Sequence, residues 1–134
     1  MNVFIKELKK DHEQLLEILL DAQSKGLGTD AGRNKLLESK QLLVGHLNKE
    51  DSKLYPEMKK LAKDNAYDMK IIDGFVNEMK SLTKDIVSFI GKVDNTDMSI
   101  EFAKELGKII SLVRMRIRKE EIQLYPLYER LLSK

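Results

Sequence analysis

Two histidines and two glutamates stand where a helix of a plain bundle would carry leucine. His12 lies four residues after Leu8 and three before Leu15, Glu50 lies between Leu47 and Leu54, and Glu120 lies between Ile117 and Leu124. His46 falls one turn before Glu50, on the flank of the same stripe. Glutamate is almost never fully buried without a partner, and an unpaired buried carboxylate is costly or becomes protonated. Glu50 and Glu120 therefore each demand a cation: a metal ion, a protonated histidine or an arginine. Taken singly, each position has a plain explanation, a core histidine bonded to a neighbour or a glutamate reaching past the stripe to water. Together they read as a set, because carboxylates and imidazoles converging from several helices are how di-iron bundle sites are made. Other chemistries find no residues. Cysteine is absent, which excludes disulfide scaffolds, cysteine-based zinc sites, iron–sulfur clusters and cysteine nucleophiles. No Ser/His/Asp arrangement is visible, and Gly26-Leu27-Gly28 lacks the length and the lysine of a phosphate-binding loop. No catalytic or organic-cofactor residue is assigned, and the chain is not expected to be an enzyme.

The elements that must position these side chains are helices. The 134 residues hold only two prolines and seven glycines, and the apolar residues recur at three- and four-residue steps. Ile5, Leu8, His12, Leu15, Leu19 and Ala22 form one stripe, and Leu36, Leu43, Leu47, Leu54 and Met58 a second. Ile72, Phe75, Met79, Leu82, Ile86 and Phe89 form a third. A fourth runs through Ala103, Leu106, Ile110, Val113, Ile117, Leu124 and Leu131. Three breaks separate them: Ser24 to Asp30, with Thr29 or Asp30 as cap; Lys63 to Asn65, with two candidate caps; and Gly91 to Asp97, where Asn95, Thr96 or Asp97 can start the last helix. The expected fold is all-α, an up-down-up-down four-helix bundle in a single domain over 1–134. Val113 to Arg118 alternates apolar and basic residues as a strand would. Because the helical stripe continues on both sides, it is read as helix, with Arg114 and Arg118 facing water.

Lys49-Glu50-Asp51-Ser52-Lys53-Leu54-Tyr55-Pro56 recurs as Lys119-Glu120-Glu121-Ile122-Gln123-Leu124-Tyr125-Pro126. The bundle is thus read as two pseudo-symmetric helix pairs, 1–64 and 65–134. Pro56 and Pro126 each remove an N–H and clash with the carbonyl four residues back, so a kink or helix end is expected at both. Lysine plus arginine number 24 against 22 aspartates and glutamates, a net charge of +2, which argues against a nucleic-acid partner. No apolar run approaches the roughly 18 residues of a membrane span. Lys6, Lys9 and Lys10 interrupt the stretch that an export signal would need. A cytoplasmic protein with no membrane partner is the expectation.

These residues resemble the hemerythrin-like family, the HHE cation-binding domain, over nearly the whole chain. The family carries two copies of a motif: Asp/Glu-His in one helix, then His-x-x-x-Glu and Leu-Phe/Tyr-Pro in the next. The first copy is intact as Asp11-His12, His46 to Glu50 and Leu54-Tyr55-Pro56. In the second copy Met79 and Arg116 stand where the family has its third and fourth histidines. The resemblance implies two irons bridged by carboxylates, for oxygen binding or for oxygen, iron or redox sensing. This chain offers only His12, His46, Glu50 and Glu120 for that shell. It is therefore expected to hold at most one non-haem iron or zinc ion, or none, instead of an intact di-iron centre. Oxygen or another small ligand would bind only through such an ion.

The two substitutions shape the expectation. Met79 is a soft thioether, better suited to filling space than to holding iron among oxygen ligands. Arg116 is effectively always charged. A fixed cation about 4 Å from an ion opposes it by about 4 kcal/mol at an effective dielectric near 20. Arg116 is expected to replace the missing metal charge by pairing with Glu120, four residues on, and with Glu50 across the bundle. The alternative function is then a metal-free structural or protein-interaction bundle. A remoter alternative is a histidine phosphotransfer domain acting through His46, which would have to be exposed.

Overall fold

The computed structural model describes residues 2–26, 29–92 and 100–133. Within them the chain is helical throughout and contains no strand. Helix α1 is Val3–Lys25, α2 is Asp30–Lys49, α3 is Tyr55–Leu61, α4 is Ala66–Gly91, α5 is Ile100–Lys119 and α6 is Tyr125–Leu132. A single π-helical turn, Glu50–Leu54, joins α2 to α3, and a second, Glu120–Leu124, joins α5 to α6. The path is thus four rods: α1, α2 with α3, α4, and α5 with α6. Each packs on two neighbours around a closed ring, α1 on α2 and α5, and α4 on α2 and α5. This is an all-α four-helix bundle. No helix among the described residues is long and apolar enough to cross a membrane.

The ends of the rods are set by local chemistry. Asn2 Oδ1 accepts the Phe4 and Ile5 N–H groups at 2.8 and 3.2 Å, capping α1. Gly26 ends α1 at φ 84°, a conformation that favours glycine. Thr29 Oγ1 accepts the Gly32 N–H at 3.0 Å, and Asn65 Oδ1 accepts the Asp68 N–H at 3.1 Å. The expected caps Asn95, Thr96 and Asp97 lie outside the described residues. Val113 to Arg118 is helix, with Arg114 and Arg118 exposed.

Neither proline ends its rod. The N–H of Tyr55 bonds the carbonyl of Glu50, five residues back, and Tyr125 does the same to Glu120. The wider π turn takes in one extra residue. The α-helix then restarts, and each proline sits in its first turn, where no N–H is needed. The same turn places Leu54 and Tyr55 side by side in the interior, as it does Leu124 and Tyr125.

The apolar interior is in two parts. One cluster gathers Leu19, Leu36, Leu43, Ile86, Phe89 and Leu106 with their neighbours, and the other Ile5, Leu8, Leu54, Met58, Ile72 and Leu124 with theirs. Between them sit the buried polar residues His12, His46, Glu50, Arg116 and Glu120. Leu54 is fully buried. Leu54→Ala is expected to lower stability by about 2–5 kcal/mol, seen as a fall in the urea midpoint at unchanged m-value.

Candidate metal centre

Four rods meet at the polar layer, and three supply its inward-pointing groups. His12 comes from the middle of α1, His46 from the end of α2, Glu50 from the π turn that follows, and Glu120 from the matching π turn after α5. His12 Nε2 lies 3.1 Å from His46 Nε2 and 3.0 Å from Glu120 Oε2. His46 Nε2 lies 3.8 Å from Glu120 Oε2 and 3.2 Å from Glu50 Oε1. All four residues are buried, Glu50 completely. The structure thus brings together the four residues that the sequence offers as ligands. Three of them, His12, His46 and Glu120, place one ligand atom each within 4.8 Å of the others.

Both imidazoles are held from behind. Glu121 Oε2 lies 2.8 Å from His12 Nδ1, and Asp11 Oδ2 lies 3.2 Å from His46 Nδ1. Lys49 Nζ donates to Asp11 at 3.0 Å and fixes that carboxylate in turn. A carboxylate on Nδ1 favours the tautomer whose Nε2 lone pair faces inward, the arrangement found behind metal-bound histidines. Two imidazole lone pairs and two carboxylates then face one point. One donor among them is the phenol of Tyr125, whose Oη bonds Glu120 Oε2 at 2.9 Å and Glu50 Oε2 at 3.2 Å. Such a cluster needs either a cation or extra protons.

The electrostatics favour extra protons. Burial disfavours a charged His46, but the adjoining Glu120 and Glu50 carboxylates outweigh it and raise its pKa from 6.5 to about 10. Burial, with the charge of Glu120, pushes Glu50 up to about 7. Burial also works against an ionised Glu120, but hydrogen bonds to His12 and His46 overcome it and hold its pKa below the usual carboxylate range.

The residues fit a metal ion. An ion bound at about 2.0–2.2 Å to nitrogen and oxygen sets neighbouring ligand atoms about 3 Å apart, and His12 Nε2 lies at that spacing from His46 Nε2 and Glu120 Oε2, as does His46 Nε2 from Glu50 Oε1, with His46 and Glu120 farther apart at 3.8 Å. Glu50 Oε1 is buried and, although 3.2 Å from His46 Nε2, makes no well-directed hydrogen bond, so it retains a lone pair for an ion. A cavity of about 20 Å³, lined by His12, His46, Glu120, Arg116 and apolar side chains that include Leu43 and Met79, adjoins the cluster. It is about the size of one water.

Arg116 does not make the expected pair with Glu50 or Glu120. Its guanidinium lies 4.4 Å above the Phe75 ring, donates through Nη2 to the Phe75 carbonyl at 3.1 Å, and bonds Glu78 through Nη1. The reason lies in the register of the two halves. Glu78 on α4 corresponds to Asp11 on α1, and Arg116 to His46, so the Asp11–His46 contact recurs as Glu78–Arg116. Lys119 Nζ lies 3.9 Å from Glu78, as Lys49 lies beside Asp11. Met79 is buried beside Leu82 and Ile86 as part of the apolar cluster. His46 is 4% exposed, which removes the phosphotransfer alternative, because a phosphorylated histidine must reach a partner.

Three contributors escape the periodicity. Tyr125 was visible only as part of the repeated Leu-Tyr-Pro triplet. Glu121 stands in the sequence only as part of the repeat, yet it backs His12. Asp11 belonged to the motif, and its role against His46 required the fold. For Arg116 the energetics give a test. Glu78→Gln leaves a buried guanidinium with weaker compensation, and because Glu78 is half exposed the expected loss is about 1–2 kcal/mol. Arg116→Met removes charge and demand together and is expected within about 1 kcal/mol of the parent. Paired urea titrations check both.

The family model for the hemerythrin HHE cation binding domain matches residues 3–128. No curated protein and no solved structure matches the chain. The match spans both halves of the bundle and every residue of the cluster, and the chain belongs to the hemerythrin HHE cation-binding family.

Proposed function

We propose that this chain is a single-metal hemerythrin-type domain that serves as an iron, oxygen or redox sensor and not as an enzyme. The observation that carries this reading is the convergence of His12 Nε2, His46 Nε2 and Glu120 Oε2, with Glu121 and Asp11 fixed behind the two imidazoles. Glu50 Oε1 supplies the fourth donor. Iron held there would give the core a group that responds to oxygen or redox state. The protein's own residues do the rest: Asp11 and Glu121 orient the rings, Tyr125 donates to Glu120, and the apolar clusters on both sides exclude water.

A second ion has no comparable ligands among the described residues. Met79 stands at the position that mirrors His12, and Arg116 brings a buried positive charge to the position that mirrors His46. Oxygen or another small molecule would reach the domain through the single ion, and a protein partner would read the outcome at the surface. The second reading is a metal-free interaction bundle. It is favoured by the raised pKa of His46, whose proton can neutralise the carboxylates without any ion.

Elemental analysis separates the two. The protein is measured as purified and again after anaerobic Fe(II) reconstitution and desalting. Near-stoichiometric iron or zinc is expected in the parent and should be lost in His46→Ala. The variant with both Met79→His and Arg116→His is expected to take up a second ion. A parent that holds no metal in either state rules out the single-metal reading.

The same proton predicts the pH dependence of metal uptake. Bound metal requires a deprotonated His46, so below its pKa of about 10 a proton competes with the ion. Below about pH 7 a proton on Glu50 competes as well. Zn(II) affinity is therefore expected to rise with pH, about tenfold per unit for each proton displaced. The slope should be steeper below pH 7 than above it, as measured by chelator competition.

A further inference from the structure

We propose that Tyr125 is a further ligand to ferric iron in this site, its phenolate joining His12, His46, Glu50 and Glu120. The inference rests on the single-metal reading and adds a donor that the sequence did not single out. Tyr125 Oη lies 2.9 Å from Glu120 Oε2 and 3.2 Å from His12 Nε2, and those two atoms are 3.0 Å apart. The three atoms form a nearly equilateral triangle. Its edges are those of one face of a coordination shell with bonds of about 2.1 Å. Glu50 Oε2 also lies 3.2 Å from the hydroxyl.

The ring has little freedom to leave. Tyr125 is 1% exposed, and its ring lies almost parallel to that of His12, 13° apart with centroids at 5.7 Å. The π turn fixes its backbone, because the Tyr125 N–H bonds the carbonyl of Glu120. Ligand and phenol are thus tied through one turn of chain. Tyr55 provides a comparison within the molecule. It follows the matching π turn and is equally buried, but its hydroxyl has no hydrogen-bond partner. The two tyrosines share a backbone setting, and of the two it is Tyr125 whose hydroxyl bonds His12 and Glu120.

The step would be a ligand exchange without electron transfer: the Tyr125 O–H bond would break, its oxygen pair would take the Fe(III) position given up by nitrilotriacetate or water, and the proton would leave with the displaced ligand. Without an ion, burial and the two carboxylates hold the phenol in its protonated form. A trivalent ion within bonding distance reverses that balance, since a coordinating metal favours the deprotonated ligand.

The test adds Fe(III) as the nitrilotriacetate complex, removes excess by desalting, and records iron content, visible absorption and resonance Raman spectra. Zn(II)-loaded protein is the blank. The parent is expected to show a phenolate-to-iron charge-transfer band, with tyrosinate ring modes enhanced on excitation within it. Tyr125→Phe should retain iron and fall to the absorbance of the blank, while Tyr55→Phe should keep the band. Iron uptake by the parent without tyrosinate modes overturns the proposal and leaves the single-metal reading intact. A band that survives Tyr125→Phe overturns it too. A parent that takes up no iron overturns the proposal, and the single-metal reading falls with it only if zinc is not taken up either. If Tyr125→Phe fails to fold by circular dichroism, ring-deuterated tyrosine in the parent and in a variant with Tyr55→Phe, Tyr67→Phe and Tyr128→Phe decides: modes that shift with the label in both assign the ligand to Tyr125, and modes lost in the variant overturn the assignment.

Discussion

Charge neutrality in one buried layer governs this bundle. Glu50 and Glu120 are almost wholly removed from solvent between two apolar clusters, and burial of an ion costs several kcal/mol even after relaxation. The compensating positive charge must therefore come from a protonated His46 or from a metal. The positions of Asp11, Glu121 and Tyr125 follow from that need. Each either holds an imidazole in place or gives a hydrogen bond to a carboxylate, so the layer is ordered from behind as well as from within.

The two halves of the bundle resolve the same geometry in different ways. In the first, Asp11 and Lys49 support His46, which turns its free nitrogen toward the centre. In the second, Glu78 and Lys119 occupy the matching places and meet Arg116. A guanidinium offers several donors and no lone pair. It can satisfy the outer carboxylate, but it cannot present a ligand inward. The support for a second ligand is thus retained while the ligand itself is replaced by a salt bridge and a thioether. Arg116 is kept from the central carboxylates by a nearer partner, the Phe75 carbonyl and ring included.

The fold was legible because burial follows the 3.6-residue period closely. Every residue of the first stripe, from Ile5 to Ala22, is buried, and so is every residue of the second from Leu36 to Met58. His12, Glu50 and Glu120 were legible for the same reason, since they interrupt that period. The direction of Arg116 was not. A long side chain on a buried face can reach several acceptors, and the choice depends on α4, which the periodicity of α5 does not describe. Tyr125 was hidden by the period itself. At 3.6 residues per turn it stands roughly 140° around the helix from Glu120, and only the π turn brings the two together. Glu121 was hidden by the same irregularity.

Those π turns also tie coordination to mechanics. Glu50 and Glu120 each present a carboxylate to the cluster, while the carbonyl of the same residue accepts the hydrogen bond that begins the following helix. A displacement of either carboxylate is geared, through a single residue, to the register of α3 or α6. Both tails lie together at one end of the bundle, where α3 packs on α6. The interior of the molecule is therefore joined, through one residue in each half, to the two helices that close one end of the bundle.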